Sequence, residues 1–344
     1  MLITTTGLKI AFVLSVVFTL SPLLVWAERR QSAMIQDRLG PERAAIELFG
    51  KRFTLLGLLH PLADTLKMLW KEDFVPPRAD KLLHALAPIV GLVPAFMAFA
   101  VIPFGDVLYW EALGEVLGRG ADGTMCVMGE TATGRACTGP APGQATALQI
   151  ASLDVGILFL LAIAGTGVVG AAIAGYASDN KYSLLGGLRA AGQMVSYEVA
   201  LGLTLVGCFA VYGTLRPEAM VHWQMEHGWG ILMQPVAFVL FFTAAIAETK
   251  RIPFDLPEGE SEIVGGYFTE YSGMKFGMFF MGEFIEVIVL AAVATTLFFG
   301  GWHAPGLTSS GLAIAGWHWA LPHGVVTLLQ VGTFWLKVVL LIWF

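Results

Sequence analysis

The chain is 344 residues long, carries a formal net charge of −6, and is 56% hydrophobic but only 13% charged. Its mean hydropathy is +0.71, whereas ordinary soluble domains are about 45–50% apolar and about 25% charged. Disorder, collagen and a disulfide-rich secreted module are excluded by these values and by the three cysteines, and a nucleic-acid binder by the negative charge. The composition is that of a polytopic membrane protein.

About 20 mostly apolar residues are needed for a helix to cross the hydrocarbon layer. Seven segments qualify: Leu8–Ala27, Leu82–Phe104, Val155–Ala177, Met194–Tyr212, Ile231–Ala247, Phe276–Phe299 and Val325–Phe344. The first ends in Trp26-Ala27-Glu28-Arg29-Arg30 rather than a small-residue cleavage pattern, so it reads as a retained span and not a signal peptide. Pro88 and Pro94 sit inside the second span and are expected to kink it; the fifth span is short. The expected fold class is all-α, a multi-pass bundle forming a single integral membrane domain over 1–344.

Basic charge alternates between the loops. The first loop, 28–81, holds ten Lys/Arg, the third two (Lys181, Arg189) and the fifth, Thr249–Lys275, three, against two, one and none on the opposite side. The positive-inside rule therefore puts the N-terminus in the periplasm and the odd loops in the cytoplasm.

Two loops are too long to be simple connectors. In the first, Ala44–Leu59 places Leu48, Phe49, Phe53, Leu55, Leu56 and Leu59 on one broad side of an expected amphipathic helix lying in the interface. The second, 105–149 and periplasmic by the charge rule, is rich in Gly, Ala and Thr. Its Cys126 and Cys137 either bridge or stand as two solvated thiols. The absence of a visible internal repeat argues against an inverted-repeat transporter.

Acidic residues concentrate in one region. Eight lie from Glu248 to Glu286, and with Lys250, Arg251 and Lys275 these 39 residues hold −5 of the net charge. A solvated acidic loop, 248–275, is the simple explanation for part of the run. Glu198, Glu248, Glu283 and Glu286, however, fall in or at the ends of spans, where an ionisable residue marks a proton or ion path by default. Pro253 and Pro257 forbid a regular helix after Glu248, and irregular backbone at membrane depth is tolerated only where it packs in protein or lines a wet cavity. Glu258, Glu260 and Glu262 share one side if the stretch is extended and spread if it is helical. Crowded carboxylates there cannot all ionise, which is the property of a proton store. No metal motif, phosphate loop, nucleophile elbow or cysteine cluster is present, so the chain is expected to carry no metal and no redox centre of its own.

Three motifs carry a resemblance. The first is Ala247-Glu-Thr-Lys-Arg-Ile-Pro-Phe-Asp-Leu-Pro-Glu-Gly-Glu-Ser-Glu-Ile-Val-Gly-Gly-Tyr-Phe-Thr-Glu-Tyr-Ser-Gly, ending at Gly273. The second is Gly175-Tyr-Ala-Ser-Asp-Asn-Lys-Tyr-Ser-Leu-Leu-Gly-Gly-Leu-Arg-Ala-Ala-Gly-Gln-Met-Val-Ser-Tyr-Glu-Val, ending at Val199. The third joins Glu28-Arg29-Arg30, Gln36-Asp37-Arg38-Leu39-Gly40-Pro41 and His60-Pro61-Leu62-Ala63-Asp64-Thr65-Leu66-Lys67. In this order, over nearly the whole chain, they resemble the membrane subunit of proton-pumping NADH:quinone oxidoreductase, respiratory complex I (the H-type subunit of bacteria, subunit 1 in mitochondria).

That resemblance implies a respiratory-chain translocase subunit in a bacterial inner membrane. Its substrate would be a quinone such as ubiquinone, with NADH, FMN and iron–sulfur clusters bound by partner subunits of the membrane and peripheral arms. Glu28, Arg29, Arg38, Asp64, Lys67 and Arg251 fall where the family lines the quinone chamber and meets the peripheral arm. Glu198, Glu248, Asp255, Glu258, Glu262 and Glu283 fall on its chain of acids, with Arg251 as a charge partner. For Phe276, Phe279 and Phe280, packing is expected rather than quinone contact.

There are departures: His60 and Glu42 stand where the family usually has Gln and Asn, the second loop looks like an insertion, and the family continues past position 344 with a basic loop and an eighth helix. Truncation or divergence is the expectation at that end. The nearest rivals are the homologous subunit of a membrane-bound hydrogenase and that of a coenzyme-dependent dehydrogenase, which share Pro253-Phe254-Asp255. Ser196-Tyr197-Glu198 and the full 258–262 run favour the quinone-linked branch. A proton-coupled transporter is a rival of another class, opposed by the long basic first loop and the missing repeat.

Overall fold

The structure, a computed structural model, describes residues 2–48, 51–119, 124–131, 134–314 and 317–343. The helices are α1 (Leu2–Ile35), α2 (Leu59–Trp70), α3 (Lys81–Ala98), α4 (Gly156–Ala177), α5 (Lys181–Tyr212) and α6 (Pro217–His227). They continue with α7 (Gly230–Met233), α8 (Pro235–Glu248), α9 (Glu260–Ile263), α10 (Gly273–Phe298) and α11 (His323–Trp343). Six of them, α1, α3, α4, α5, α10 and α11, are long and apolar enough to cross a membrane. The chain is a multi-pass helical membrane protein.

The fifth apolar segment is not one helix. At Gln234 the backbone leaves the helical region (φ −137°, ψ 62°), and Pro235 opens α8. A proline disfavours helical backbone at the residue before it, so the expected 231–247 span divides into α7 and a 14-residue α8, roughly 21 Å long at the α-helical rise. Elsewhere the helices overrun the apolar stretches. The helix α1 continues through Glu28-Arg29-Arg30, and α5 starts thirteen residues before Met194, where the Asn180 side chain accepts from Tyr182 N–H at 2.9 Å. The helix α3 runs through Pro88 and Pro94 and is capped by Asp80, whose carboxylate accepts from Leu82 and Leu83 N–H.

The expected interfacial helix over 44–59 is corrected. Strands β1 (Ile46–Leu48) and β2 (Lys51–Phe53) pair antiparallel there, and Phe49 lies outside the described residues. Leu55, Leu56 and Gly57 then adopt positive φ, which no continuing right-handed helix allows. The amphipathic helix of this loop is α2, whose Leu62, Leu66 and Leu69 recur at helical spacing and are exposed.

The remaining strands are short and confined to two loops. Strands β3 (Val107–Tyr109) and β7 (Ala145–Ala147) pair, β4 (Leu117–Arg119), β5 (Met125–Thr131) and β6 (Gly134–Pro140) form a three-stranded sheet, and β8 (Leu307–Thr308), β9 (Gly311–Ile314) and β10 (Trp317–Ala320) form another. A Cys126–Cys137 disulfide links β5 to β6, with Cα atoms 5.5 Å apart. The loop thiols are bridged.

Two compact units divide the chain: Met1–Phe99, Leu161–Gly202 and Phe242–Val289 in the first, and Ala100–Leu160, Leu203–Phe241 and Leu290–Phe344 in the second. The first unit contains a core of Ala87, Ala171, Ala174, Ala190, Tyr267, Tyr271 and Phe279, against which Phe268 and Phe276 pack. Its helices approach closely because small residues meet. A Cβ at Gly170 of α4 would fall 2.6 Å from the backbone of Gly91 in α3, the small-residue contact that substitutes for hydrophobic drive between membrane helices.

The second unit is pinned by polar side chains. The fully buried Gln224 donates to the Thr296 carbonyl and accepts from Gly230 and Gly300 N–H, all within 3.0 Å. Lys337, inside α11, donates to the carbonyls of Phe299, Gly301 and His303 at 2.7, 2.9 and 2.5 Å. Those carbonyls follow the end of α10, where a helix leaves acceptors unfilled, so an otherwise costly lysine is satisfied within the protein.

Candidate functional site

The acidic region belongs wholly to the first unit. The helix α8 ends in a C-terminal motif in which Arg251 N–H bonds back to Ile246 and Lys250 N–H to Ala247, with Lys250 at φ +56°. Glycine usually fills that left-handed position, and an ordinary L-residue pays about 1–2 kcal/mol for it. Beyond it, Gln193 of α5 holds the irregular chain in place: its buried amide donates to the carbonyls of Ala247 and Phe254, both at 2.7 Å. The segment then turns through Pro257 into the short α9. Because 260–263 is helical, the 258–262 run is not one extended stretch.

The strained lysine has a destination. Lys250 Nζ donates to Tyr267 Oη at 2.9 Å and lies 3.3 Å from Glu283 Oε1 of α10, and Tyr267 Oη donates to the same carboxylate oxygen at 3.0 Å. None of the three residues is more than 7% exposed. Burial works against the ammonium, but Tyr267 and the Glu283 and Glu286 carboxylates outweigh it and hold the Lys250 pKa well above the ordinary lysine value.

Around this triad stand further carboxylates. Glu248 closes α8, is 8% exposed, and has a buried Oε2 without a hydrogen-bond partner. It feels the charges of Glu286, Glu198 and Lys250. The Glu198 carboxylate of α5 rests on Gly165 of α4, where an added Cβ would stand 2.5 Å from Oε1. Glu258 is half-buried, and burial followed by the Glu283 charge pushes its carboxyl up to about 7, against the pull of Lys250 and Arg251.

A second set of contacts ties the first loop to this region. Arg251 pairs with Glu28 of α1 at 3.2 Å and lies 4.3 Å from the centre of the Phe284 ring. Next to Glu28, Arg29 pairs with Asp64 of α2 at 2.9 Å, and Lys67 follows Asp64 by one helical turn. Lys275 pairs with Asp73 at 2.8 Å.

The structure thus gathers Glu248, Glu258 and Glu283 around Lys250, sets Glu198 against Gly165, and joins Glu28 to Arg251 and Arg29 to Asp64. It does not bring every expected residue to one place. Glu262 is largely exposed and pairs with Arg189 of α5 at 2.7 Å, Asp255 is exposed, and the Arg38 guanidinium donates to Gln36 beside it. Phe276 and Phe279 pack with Tyr267, Tyr271 and Phe268, and Phe280 stacks on Phe276. Lys250, Tyr267 and Gln193 were not among the expected site residues, and Glu286 was expected only as an intramembrane acid, three residues after Glu283 on the same helical face. Among the described residues, no group of three or more His, Cys, Asp or Glu is disposed to hold a metal ion.

The sequence profile described as NADH dehydrogenase matches residues 8–344. The H-type NADH-quinone oxidoreductase subunit numbered 1 in Geobacter metallireducens is 46% identical over 87% of this chain and 78% of its own length. The H-type subunit numbered 2 in Geobacter sulfurreducens matches at the same identity and coverage, and that of Protochlamydia amoebophila at 41% over 84% of this chain and 76% of its own. With the match extending across both units and the acidic loop, the chain belongs to the NADH dehydrogenase family, as the H-type membrane subunit of NADH-quinone oxidoreductase, respiratory complex I.

Proposed function

We propose that this subunit forms part of the quinone chamber of a proton-translocating NADH:quinone oxidoreductase and couples quinone reduction to proton movement through buried carboxylates. The observation that carries the reading is the convergence of Glu198, Glu248 and Glu283 from three separate helices beside an irregular loop. Ionisable groups gathered in this way inside a membrane bundle mark a proton path. Quinone reduction consumes a proton for each electron and changes the local charge, and coupled carboxylates respond by redistributing protons.

The paired α1 and α2, joined by Arg29–Asp64 and with Glu28 of α1 on Arg251, suit the chamber mouth and the docking face for the peripheral arm. Electrons would reach the quinone from NADH through FMN and iron–sulfur clusters on those partners. The charge alternation of the loops supports a periplasmic N-terminus in a bacterial inner membrane, with loops 28–81 and 248–275 in the cytoplasm. The Cys126–Cys137 bridge supports the same orientation, since disulfides persist on the oxidising side.

The test is Glu248→Gln, which keeps hydrogen bonding but removes the titratable proton. The complex should assemble while quinone reduction and proton pumping fall together. Normal pumping per electron in Gln variants of Glu198, Glu248 and Glu283 alike would sink the relay.

A further inference from the structure

Glu286 lies one turn beyond Glu283 on α10, and its Oε1 sits against Gly167 of α4, 3.6 Å from where a Cβ would stand. Its Oε2 is buried and has no hydrogen-bond partner, as is also true of Oε2 of Glu248. Lys250, two residues after Glu248, reaches Glu283 at 3.3 Å, one turn before Glu286, so both carboxylates stand around the same cation. The groups around the pair are Glu198 of α5, Glu283 of α10, Lys250 and Tyr267. Lys250, the one cation in that set, is already committed to Glu283 and Tyr267.

Two bare carboxylate oxygens are therefore buried on either side of a cation that is itself engaged with Glu283 and Tyr267. An unsatisfied buried acceptor is costly, and an unpaired buried charge more so. Two such groups beside one engaged cation cannot both ionise. A single retained proton relieves both problems, neutralising one carboxyl and supplying a donor.

We propose that Glu248 and Glu286 hold one proton between them, exchanged across bridging water, and that Glu286 is a further proton-carrying residue of the path. This rests on the relay reading above and refines it. Glu283 is the partner of Lys250, and the Glu248–Glu286 pair provides the store.

The test uses the whole assembled complex in vesicles, with infrared difference spectra between oxidised and quinone-reduced states. In Glu286→Gln, assembly should persist, the carbonyl stretch of a protonated carboxylic acid should be lost from the spectrum, and protons moved per electron should fall. A wild-type carbonyl band with wild-type pumping overturns the proposal. If Glu248→Gln stops pumping while Glu286→Gln pumps normally, the shared store fails and the relay stands. Normal pumping in both variants overturns the store and takes Glu248 out of the relay. Should the Gln variant not assemble, Glu286→Asp decides through the same band, its presence supporting the store and its absence overturning it.

Discussion

Gly165→Ala isolates the position of one carboxylate from the stability of the fold. The new Cβ would lie 2.5 Å from Glu198 Oε1, 2.8 Å from Oε2 and 3.0 Å from Cδ. Unstrained contacts need about 3.5 Å or more, so the carboxylate must withdraw by about 1 Å. It sits at the end of a flexible side chain, so the helices themselves need not move. Replacing a mid-helix glycine by alanine is also worth about 0.5–1 kcal/mol in favour of the helix. Thermal stability and assembly should therefore be unchanged or slightly improved. Proton-coupled turnover should fall by about tenfold to a hundredfold, the penalty for a functional group misplaced by about 1 Å. The assay is quinone reductase rate and proton translocation in reconstituted vesicles, with Gly192→Ala as the control, since a Cβ there meets nothing within 4 Å. Wild-type pumping by Gly165→Ala, or an equal loss in the control, would refute the assignment of Glu198 to the path.

Glu258, with its carboxyl at about 7 in the fold against an ordinary 4.5, favours the folded state when protonated. That contribution is complete below the ordinary value and is lost as pH rises through about 7. Thermal melts of Glu258→Gln should thus depend less on pH across this window, and a pH dependence identical to wild type would count against the assignment. Lys337→Met leaves the carbonyls of Phe299, Gly301 and His303 without their donor; a loss on the order of 3–5 kcal/mol should appear as a clearly lower Tm in detergent, and an unchanged Tm would show that water replaces the ammonium. Asp64→Lys turns the 2.9 Å pair with Arg29 into a repulsion on the proposed docking face. Assembly with the peripheral arm or quinone reduction should weaken while membrane insertion persists, and a fully assembled, active complex would contradict the docking role.

Much of the bundle can be read directly from the chain. The length of an apolar run is a one-dimensional quantity matched to the thickness of hydrocarbon, and it located α1, α3, α4, α5, α10 and α11. Local chemistry also explains the failures. Pro235 acts on Gln234 and splits the fifth segment, while a stretch with apolar residues at plausible helical spacing, 44–59, forms a hairpin and left-handed turns instead. Periodicity alone did not separate α2 from its neighbour.

The acids themselves were legible as intramembrane charges, but what each one faces was not. Glu198 belongs to the site because Gly165, thirty-three residues earlier on another helix, leaves it room. Glu283 has partners because a lysine in a glycine-like position reaches it from the end of α8 beside Tyr267. Glu262, in the same motif as Glu258, is drawn away by Arg189. The sequence by itself determined which residues are too costly to bury without a reason, because desolvation belongs to the residue and its span. Only the tertiary structure decided which charges are paired and which remain bare, because hydrogen bonds and ion pairs act over a few ångströms between segments that the chain keeps far apart.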